Sequence, residues 1–344
     1  MKDISKILQE FKKLKLAVIG DIMLDRTLWG ITSDRKNPES KKAPITHIQK
    51  EELYIGGAGN VARNLTSLGI DCNFYGIIGD DIYGRELIRM CHKEKIGIEN
   101  LKLAEFPTIF KARRFIDGEY IGRDDGGEKD EKGRSLLIKI NEYLAEDLWT
   151  PFEDKCIEGD YNGIILSDYN KHIFSKNFTE KIIRISRRYN LPIFADIKPE
   201  NLDFFKGCTL ICPNAEEASK ITGIKYSKQN LNEMGRIIQE KINSKYAIIT
   251  CSEDGAFVYD NGESKLMKTQ ARKVGEVTGA GDTFIALLAA SYSTGSNIYD
   301  SVKLANIGAG IAVEKSGTST VSPEELIQRI EKGVLPPDIC RRLK

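Results

Sequence analysis

The stretch GEVTGAGDTF, residues 275–284, combines a glycine-rich turn with one aspartate and is followed at once by an apolar run. If a helix begins here, the backbone N–H groups of Gly279, Ala280 and Gly281 lie at its positive end and form an anion site. Asp282 would repel a bound phosphate, so simple binding does not explain it. It suits a general base that takes a proton from a hydroxyl attacking a phosphoryl group. The alternative is an aspartate that only stabilises the helix N-terminus.

A second glycine-rich turn, GGAGNVA at residues 56–62, opens another predicted helix. Its backbone can approach a sugar closely, and the amide of Asn60 can both donate and accept a hydrogen bond. The turn does not read G-x-G-x-x-G, and no G-x-x-x-x-G-K-[ST] occurs in the chain. The sequence therefore lacks the dinucleotide and P-loop signatures, and a dinucleotide-dependent oxidoreductase is disfavoured.

Polar residues stand where several predicted strands end. They are Asp21, Asp168, Asp196, Asn214 and Thr250. In open parallel sheets, ligands bind at the carboxyl ends of the strands. These five side chains therefore predict a binding site along one edge of a sheet, although strands also end at polar residues for no functional reason.

The elements that must position these residues follow an alternating pattern. Short continuous apolar runs, such as KLAVIG and GIILS, alternate with amphipathic segments such as FTEKIIRISRRYN. This pattern predicts an α/β fold, a doubly wound and mainly parallel sheet sandwiched by helices, in one domain over residues 1–344. Segments at about 26–54 and 107–124 do not fit the pattern, and the second reads as a hairpin around Asp117 and Gly118. We predict that they form a small β-strand lid.

The composition excludes several classes of protein. The net charge is +1, from 51 basic and 50 acidic residues, so nothing indicates a nucleic-acid partner. The seven cysteines are scattered and form no C-x-x-C pair, which favours reduced thiols over disulfides or a zinc site. No secretory signal or long apolar stretch is present, so we expect a cytoplasmic protein without a membrane segment.

Together these motifs resemble the ribokinase/PfkB family of sugar and nucleoside kinases. IGGAGNVA and VTGAGDTF are similar to its two signatures, and CPNAEE is similar to its N-x-x-E motif, here Asn214 and Glu217. The resemblance covers nearly the whole chain. It implies a ribokinase-like fold, ATP and Mg²⁺ as cofactors, and Asp282 as catalytic base beside an anion hole formed by the turn 279–281.

The resemblance and the strand ends together predict the residues that bind the sugar. They are Asp25, Gly57, Asn60, Lys111, Arg113, Asp168 and Lys171. The first three correspond to family residues near the sugar hydroxyls, although a loop cap is the alternative for Asp25. Lys111 and Arg113 lie on the predicted hairpin, where basic residues also serve only to protect a sheet edge.

The resemblance likewise implies a nucleotide site. Its predicted residues are Lys198, Asn214, Thr250, Ser252, Gly255 and Asn306. Asn306 is expected on a helix near adenine, with a solvent-facing polar residue as the alternative. We expect Mg²⁺ to bind mainly through the ATP phosphates and water, with Asn214 and Glu217 acting through water.

A closer resemblance is to the D-glycero-β-D-manno-heptose 7-phosphate kinases, through GDIMLDRTLWG, ILSDYNK, TLICPNAEE and GTSTVSPEEL. It implies phosphorylation of O1 to the 1,7-bisphosphate, a precursor of ADP-heptose for lipopolysaccharide. The chain lacks the H-x-G-H motif of the nucleotidyltransferase domain that many relatives carry, which predicts a kinase alone.

Two positions and one segment depart from the family pattern. Glu276 stands where the family has aspartate or asparagine near a monovalent cation, so activation by potassium is left open. Leu287 replaces a small residue and predicts local repacking of its helix. The segment 34–42 is longer and more basic than in heptose kinases, which leaves the substrate open if that segment reaches the sugar phosphate.

The same motifs fit other functions. The runner-up is another kinase of the family, acting on ribose, fructose 6-phosphate, an aminosugar or a nucleoside. The basic lid favours a phosphorylated sugar over a nucleoside. A non-catalytic sugar sensor is a third reading, but such a protein is expected to lose the base. The exposed strands of the lid predict a homodimer formed through its edges.

Overall fold

A computed structural model describes residues 4–35, 37–40, 43–128, 140–269, 278–315 and 317–331, without the side chains of 140–146. The strands in chain order are β1 (Lys15–Gly20), β2 (Ile22–Thr32), β3 (Thr46–Gly57), β4 (Asp71–Gly79), β5 (Gly97–Ala104), β6 (Phe110–Ile116), β7 (Glu119–Gly126), β8 (Gly163–Ser167), β9 (Ile193–Asp196), β10 (Leu210–Ile211), β11 (Tyr246–Thr250), β12 (Ala256–Asp260) and β13 (Glu263–Met267). The helices are α1 (Ile4–Phe11), α2 (Ala58–Ser67), α3 (Ile82–Lys93), α4 (Ile140–Ile157), α5 (Lys176–Arg188), α6 (Ala215–Thr222), α7 (Leu231–Ile242), α8 (Ala280–Ser293), α9 (Ile298–Ala312) and α10 (Pro323–Glu331).

A nine-stranded sheet forms the centre of the molecule, in the order β13-β12-β11-β10-β9-β8-β1-β4-β5. The strands from β11 to β5 pair in parallel, whereas β12 and β13 add an antiparallel end. Parallel pairing brings the carboxyl ends of β1, β8, β9, β10 and β11 to the same edge. The predicted α/β architecture, with its mainly parallel sheet, is confirmed.

Helices cover both faces of this sheet, each over its own apolar core. Along β1, Leu16 and Val18 pack in one core with α1, α2, α8 and α9, whereas Ala17 and Ile19 pack in the other with α4, α5 and α7. This alternation follows from the two-residue side-chain period of a strand. A sheet buried on both faces explains the continuous apolar runs in the sequence.

A separate four-stranded sheet, in the order β3-β2-β6-β7, forms the lid. Its strands extend beyond the predicted bounds, because β2 follows β1 after only Asp21 and β3 continues to the start of α2. β6 and β7 form the predicted hairpin, with Asp117 and Gly118 at positive φ in the turn. The chain therefore passes directly from the central sheet into the lid at the edge where the strand ends gather.

The departure at Leu287 has a local structural explanation. Leu287 in α8 is fully buried and faces Gly308 in α9. A Cβ atom added to Gly308 would lie 1.9 Å from Cδ1 of Leu287, which no real packing allows. The predicted repacking of α8 therefore takes the form of a large side chain on one helix set against a glycine on the next.

Among the helices of the described ranges, none combines the length and apolar character that a membrane span requires.

Candidate active site

The two glycine-rich turns meet at the carboxyl edge of the central sheet. Gly57 precedes α2 with a φ of 60°, and Gly279 precedes α8 with a φ of 82°. These left-handed conformations favour glycine, and both turns are also crowded. A Cβ on Gly57 would lie 2.3 Å from the carbonyl oxygen of Asp21, and one on Gly279 would lie 2.9 Å from Nδ2 of Asn60. Glycine at both positions therefore lets the two helices begin side by side.

Asp282 lies in the first turn of α8, and its side chain is held from two directions. Asn60 Nδ2 donates to its Oδ2 at 2.8 Å, and the hydroxyl of Tyr169 donates to its Oδ1 at 2.8 Å. Burial raises the pKa of Asp282 to about 6, although both hydrogen bonds act to lower it. The carboxylate is therefore positioned and largely ionised at neutral pH, which a general base requires.

The start of α8 also offers free space for an anion. The first N–H groups of a helix have no partner within the helix. A Cβ added to Gly281 would meet no atom within 4 Å, so the backbone of this turn faces an open volume. The predicted anion-hole residues Gly279, Ala280 and Gly281 thus precede Asp282 in one partly exposed turn beside a cavity.

This cavity has a volume of about 430 Å³. Five of the six residues predicted to bind nucleotide line it, together with two residues of the α8 turn: Asn214, Thr250, Ser252, Gly255, Asn306, Ala280 and Gly281. Asn306 is buried rather than facing solvent, and its Nδ2 donates to the carbonyl oxygen of Met267 at 2.8 Å. Gly255 has a φ of 97°, and a Cβ there would lie 2.0 Å from the same carbonyl.

The sixth residue, Lys198, does not line this cavity but pairs with Glu217. Lys198 Nζ lies 2.5 Å from Oε1 of Glu217. Burial lowers the pKa of Lys198, but the hydrogen bond and charge of Glu217 outweigh it and the pKa is raised. Oε2 of Glu217 accepts from the backbone N–H of Asn214, whose Oδ1 accepts from two N–H groups of α6. The N-x-x-E motif is therefore a capping box at the start of α6.

On the lid side, Asp25 lies beside two basic residues. The ladder between β2 and β6 sets Asp25 opposite Lys111, and Arg113 Nη1 lies 3.4 Å from Oδ1 of Asp25. Burial raises the pKa of Asp25 although both cations act to lower it, and burial lowers the pKa of Lys111. A Cβ on Gly56 would lie 2.5 Å from Oδ2 of Asp25, so the glycine turn makes room for this carboxylate.

Asp168 and Lys171 lie in the loop after β8, and both are already paired. Asp168 is buried and accepts from the N–H of Asn170 at 2.7 Å and from Nδ2 of Asn201 at 2.8 Å. Burial raises its pKa in spite of these bonds. Lys171 Nζ lies 2.6 Å from Oε1 of Glu128. In this arrangement Asp168 organises its own loop, while Lys171 points toward the end of β7.

Comparison with known proteins decides the family. The protein-family model described as pfkB family carbohydrate kinase matches residues 13–141 and 175–325 of the chain.

The chain belongs to the pfkB family of carbohydrate kinases. Enzymes of this family are phosphotransferases: they use ATP, and a sugar hydroxyl is the acceptor of the phosphoryl group. The chain is 35% identical over 323 residues to the bifunctional protein HldE of Sulfurimonas denitrificans, covering 93% of this chain and 65% of that one. It is also 35% identical over 318 residues to the bifunctional protein HldE of Haemophilus influenzae, covering 92% and 63%. The chain thus spans somewhat less than two thirds of the length of both relatives.

Solved structures share the fold at low sequence identity. Ribokinase of Arabidopsis thaliana, complexed with ribose and ATP, superposes with a TM-score of 0.70 at 17% identity and covers 92% of this chain and 98% of its own. Phosphofructokinase-2 of Escherichia coli, in complex with potassium, gives 0.71 at 17% identity, with coverage of 94% and 99%. The ribokinase-like fold predicted for this pfkB-family kinase is confirmed.

In this pfkB-family kinase, Tyr169 was missed by sequence reasoning, and Asp21 was predicted at the site but not as the residue that holds the loop after β8. Tyr169 reaches the predicted base, and Asp21 accepts hydrogen bonds from three N–H groups of the 168–173 loop. Burial raises the pKa of Asp21 to about 7. Asp21 was visible as a polar strand end. Tyr169 stands between two predicted site residues in SDYNK, but an aromatic residue after a strand carries no signal of its own.

The described residues of the basic segment 34–42 lie in the connection between β2 and β3, beyond the pairing of Thr32 with Thr46. They include Arg35 but not Lys36, Lys41 or Lys42, so the question whether this segment reaches the sugar phosphate stays untested.

Glu276 lies outside the described residues, so its relation to a monovalent cation stays untested. Within the described ranges, no cluster of three or more histidine, cysteine, aspartate or glutamate side chains has the arrangement of a metal site.

Proposed function

We propose that this kinase transfers the γ-phosphoryl group of ATP to O1 of D-glycero-β-D-manno-heptose 7-phosphate. The product would be the 1,7-bisphosphate, a precursor of ADP-heptose in lipopolysaccharide synthesis. The resemblance to heptose 7-phosphate kinases and the 35% identity with HldE proteins support the substrate. The observation that carries the reaction type is Asp282, held by Asn60 and Tyr169 at the start of α8, beside an open cavity.

In the proposed reaction, O1 of the sugar attacks the γ-phosphorus and its proton passes to Oδ1 or Oδ2 of Asp282. The bond from the γ-phosphorus to the bridging oxygen breaks, and ADP leaves with that oxygen. A carboxylate has about four lone-pair sites, so Asp282 can accept a third hydrogen bond while keeping those from Asn60 and Tyr169. The N–H groups of Ala280 and Gly281 would hold the charge on the transferred group.

The cavity beside α8 suits ATP by its lining. Small residues, Gly255, Ala280 and Gly281, leave the backbone accessible, and neutral polar side chains such as Asn214 and Thr250 supply hydrogen-bonding groups without repelling phosphate. Mg²⁺ bound to the ATP phosphates would neutralise their charge. Asn214 and Glu217 are engaged in their capping box, so any contribution they make to the metal would pass through water.

The lid supplies the basic character that a phosphorylated sugar requires. Asp25, Gly57 and Asn60 would contact the sugar hydroxyls, while Lys111, Arg113 and Lys171 would face its phosphate. Lys111 and Arg113 are the better supported of the cations, because the β2–β6 ladder sets them beside Asp25. Asp168 holds its own loop through the hydrogen bonds that it accepts from Asn170 and Asn201, and it thereby shapes this side of the site.

We further propose a cytoplasmic homodimer that pairs through the lid. The outer strands of the lid, β3 and β7, are its two edges, and they expose Ile48, Tyr120 and Ile121. Apolar side chains on an unpaired strand edge favour pairing with a second copy.

The substrate is tested by ADP release with ATP and Mg²⁺ against a panel of sugars. The panel contains the β-heptose 7-phosphate, its α anomer, sedoheptulose 7-phosphate, mannose 6-phosphate, fructose 6-phosphate, ribose and adenosine. We expect the β-heptose 7-phosphate to give the highest kcat/KM, with the new phosphate on O1 by ³¹P NMR. If fructose 6-phosphate or ribose gives the highest value, the heptose assignment fails while the kinase assignment stands.

A further inference from the structure

The backbone of Tyr169 is fixed by a buried carboxylate rather than left to a mobile loop. Asp21, between β1 and β2, accepts from the N–H of Tyr169 at 2.8 Å, of Lys171 at 3.0 Å and of Ile173 at 3.4 Å. Asp168, the preceding residue, donates its N–H to the carbonyl oxygen of Asp196 at 2.8 Å. The chain on both sides of Tyr169 is therefore bound to the central sheet, so its side chain has a defined direction.

The side chain of Tyr169 joins three parts of the site. Its hydroxyl donates to Oδ1 of Asp282 in α8. The ammonium group of Lys111, from the lid, lies 5.5 Å from the centre of its ring, and that of Lys198, from the end of β9, also lies at 5.5 Å. Both distances are within the range of cation–π attraction. The ring thus lies within reach of one cation of the lid and of the cation beside Glu217.

We propose that Tyr169 is the positioning residue of the catalytic base. Its phenol fixes Oδ1 of Asp282 while Asn60 fixes Oδ2, so that the carboxylate cannot rotate away from the acceptor hydroxyl. The ring also gives Lys111 and Lys198 a common surface, which sets the lid in contact with the base. This inference rests on the proposed role of Asp282. Tyr169 would act on the reaction only through Asp282, without touching the reacting atoms.

The charges around Asp282 determine how removal of the Tyr169 hydroxyl changes the pKa of Asp282. Burial raises the pKa of Asp282 and the charge of Asp25 raises it further, whereas Asn60, Tyr169 and Lys198 lower it. Asp196, partly buried at the same edge, has its pKa raised to about 7 by burial, with the charges of Glu217 and Asp282 adding to it. Burial and the charge of Asp282 raise the pKa of Tyr169 itself, so the phenol remains a donor. Removing it leaves the carboxylate less stabilised and raises the pKa of Asp282.

Tyr169→Phe tests the positioning role because it removes only the hydroxyl oxygen. The ring remains in contact with the ammonium groups of Lys111 and Lys198. A base must be ionised, so the acid limb of kcat/KM against pH should move to higher pH. We expect a movement of about one pH unit, the size of a lost hydrogen bond to a charged group. At pH values well above the acid limb, Asp282 is fully ionised in both the wild-type chain and Tyr169→Phe, so their kcat/KM values should approach each other. A merely structural role would lower the rate equally at every pH.

Tyr161→Phe is the matched control. Tyr161 is buried at the opposite end of β8, and its hydroxyl lies 2.6 Å from that of Tyr75. Loss of this hydroxyl should lower thermal stability and leave the acid limb in place. If Tyr161→Phe moves the limb as far as Tyr169→Phe does, the proposal is overturned, because any lost buried phenol would then have the same effect.

A second measurement does not depend on turnover. The ¹³C carboxyl signal of Asp282, assigned by its absence in Asp282→Asn, is titrated in the wild-type chain and in Tyr169→Phe. An upward movement of the titration midpoint supports the proposal even if no sugar of the panel is phosphorylated, in which case only the proposed substrate fails. An unchanged midpoint overturns the role of Tyr169 whatever the activity.

Discussion

Asp282 combines burial with the ability to ionise near neutral pH. Burial alone pushes the pKa of a carboxyl upward, since an ion loses its hydration in the protein interior. Here Asn60 and Tyr169 donate hydrogen bonds and Lys198 adds a positive charge, so the pKa settles at about 6. A base with a pKa just below the working pH is both ionised and a good proton acceptor.

Lys198 gives the first prediction at the residue scale. Lys198→Met removes the cation that pairs with Glu217 and lies near Asp282, so the buried acids lose a compensating charge. We expect kcat to fall by about 10²-fold or more, comparable to the loss of one electrostatic group in an active site. Steady-state kinetics with ATP and the best sugar of the panel measure the effect.

Lys220→Met is its control, since Lys220 pairs with Glu216 on the same helix, α6, at 2.8 Å but faces solvent. Surface pairs of this kind contribute little to stability, and kcat should stay near the wild-type value. Equal losses of kcat in both variants would contradict the role of Lys198.

The sequence predicted single residues better than the contacts between them. The motifs identified Asn60 and Asp282 separately, yet their hydrogen bond joins residues 222 positions apart and follows only from the packing of α2 against α8. Glu217 was predicted to act on magnesium through water, but its contacts with Lys198 and Asn214, which engage both its oxygens, could not be predicted. Tyr169 was missed because its role depends on where three separate elements bring their side chains.

At the scale of elements, the sequence predicts where the strands end better than it predicts how long they are. The polar residues that follow β1 and β8 and those that end β9 and β11 gather at one edge because parallel strands share a direction. The apolar run TLICPN reads as a strand, but only Leu210–Ile211 forms one, and an isolated bridge between Asn214 and Thr250 follows it. Pro213 cannot donate to a ladder, and Asn214 already caps α6, so the strand ends early.

Helix packing gives the second prediction. Leu287 occupies the space above Gly308, so Gly308→Ala should destabilise the fold by about 1–3 kcal/mol through overpacking. Leu287→Ala should destabilise it by about 2–5 kcal/mol through a cavity. The double variant should be more stable than the sum of the two losses implies, because the new methyl group enters the vacated space. Urea unfolding measures all three, and strictly additive losses would contradict the contact.

At the scale of the whole molecule, the fold could be predicted because many weak signals agree. Continuous strands, amphipathic helices and two glycine-rich helix starts all favour the same layered α/β arrangement, and the described residues have it. The proposed pairing of copies has fewer signals behind it. An exposed lid edge favours association, but the chosen edge depends on the shape of a complementary surface that no local pattern specifies.

Buried acids give a prediction for the stability of the whole chain. Burial raises the pKa of Asp21 and of Asp196 to about 7 and that of Asp282 to about 6. The folded chain then holds these protons to higher pH than the unfolded chain does, so the unfolding free energy falls as pH rises from about 4 to about 7. Tm should therefore be higher at about pH 5.5 than at about pH 8.

Asp21→Asn separates this effect from other pH dependences. The amide oxygen can still accept from the 168–173 loop, but the residue no longer titrates. Differential scanning calorimetry should show a smaller change of Tm with pH in the variant than in the wild-type chain. An equal or larger change would contradict the contribution of Asp21.

The most direct test of the account is the rate of ADP formation by Asp282→Asn with ATP, Mg²⁺ and D-glycero-β-D-manno-heptose 7-phosphate. Asparagine keeps the shape and an acceptor for Tyr169 but cannot take the proton of O1. We expect kcat to fall by about 10²–10⁴-fold in a variant that still folds, because no group at this position can then take the proton. A variant that folds normally and keeps most of the wild-type rate would contradict Asp282 as the base.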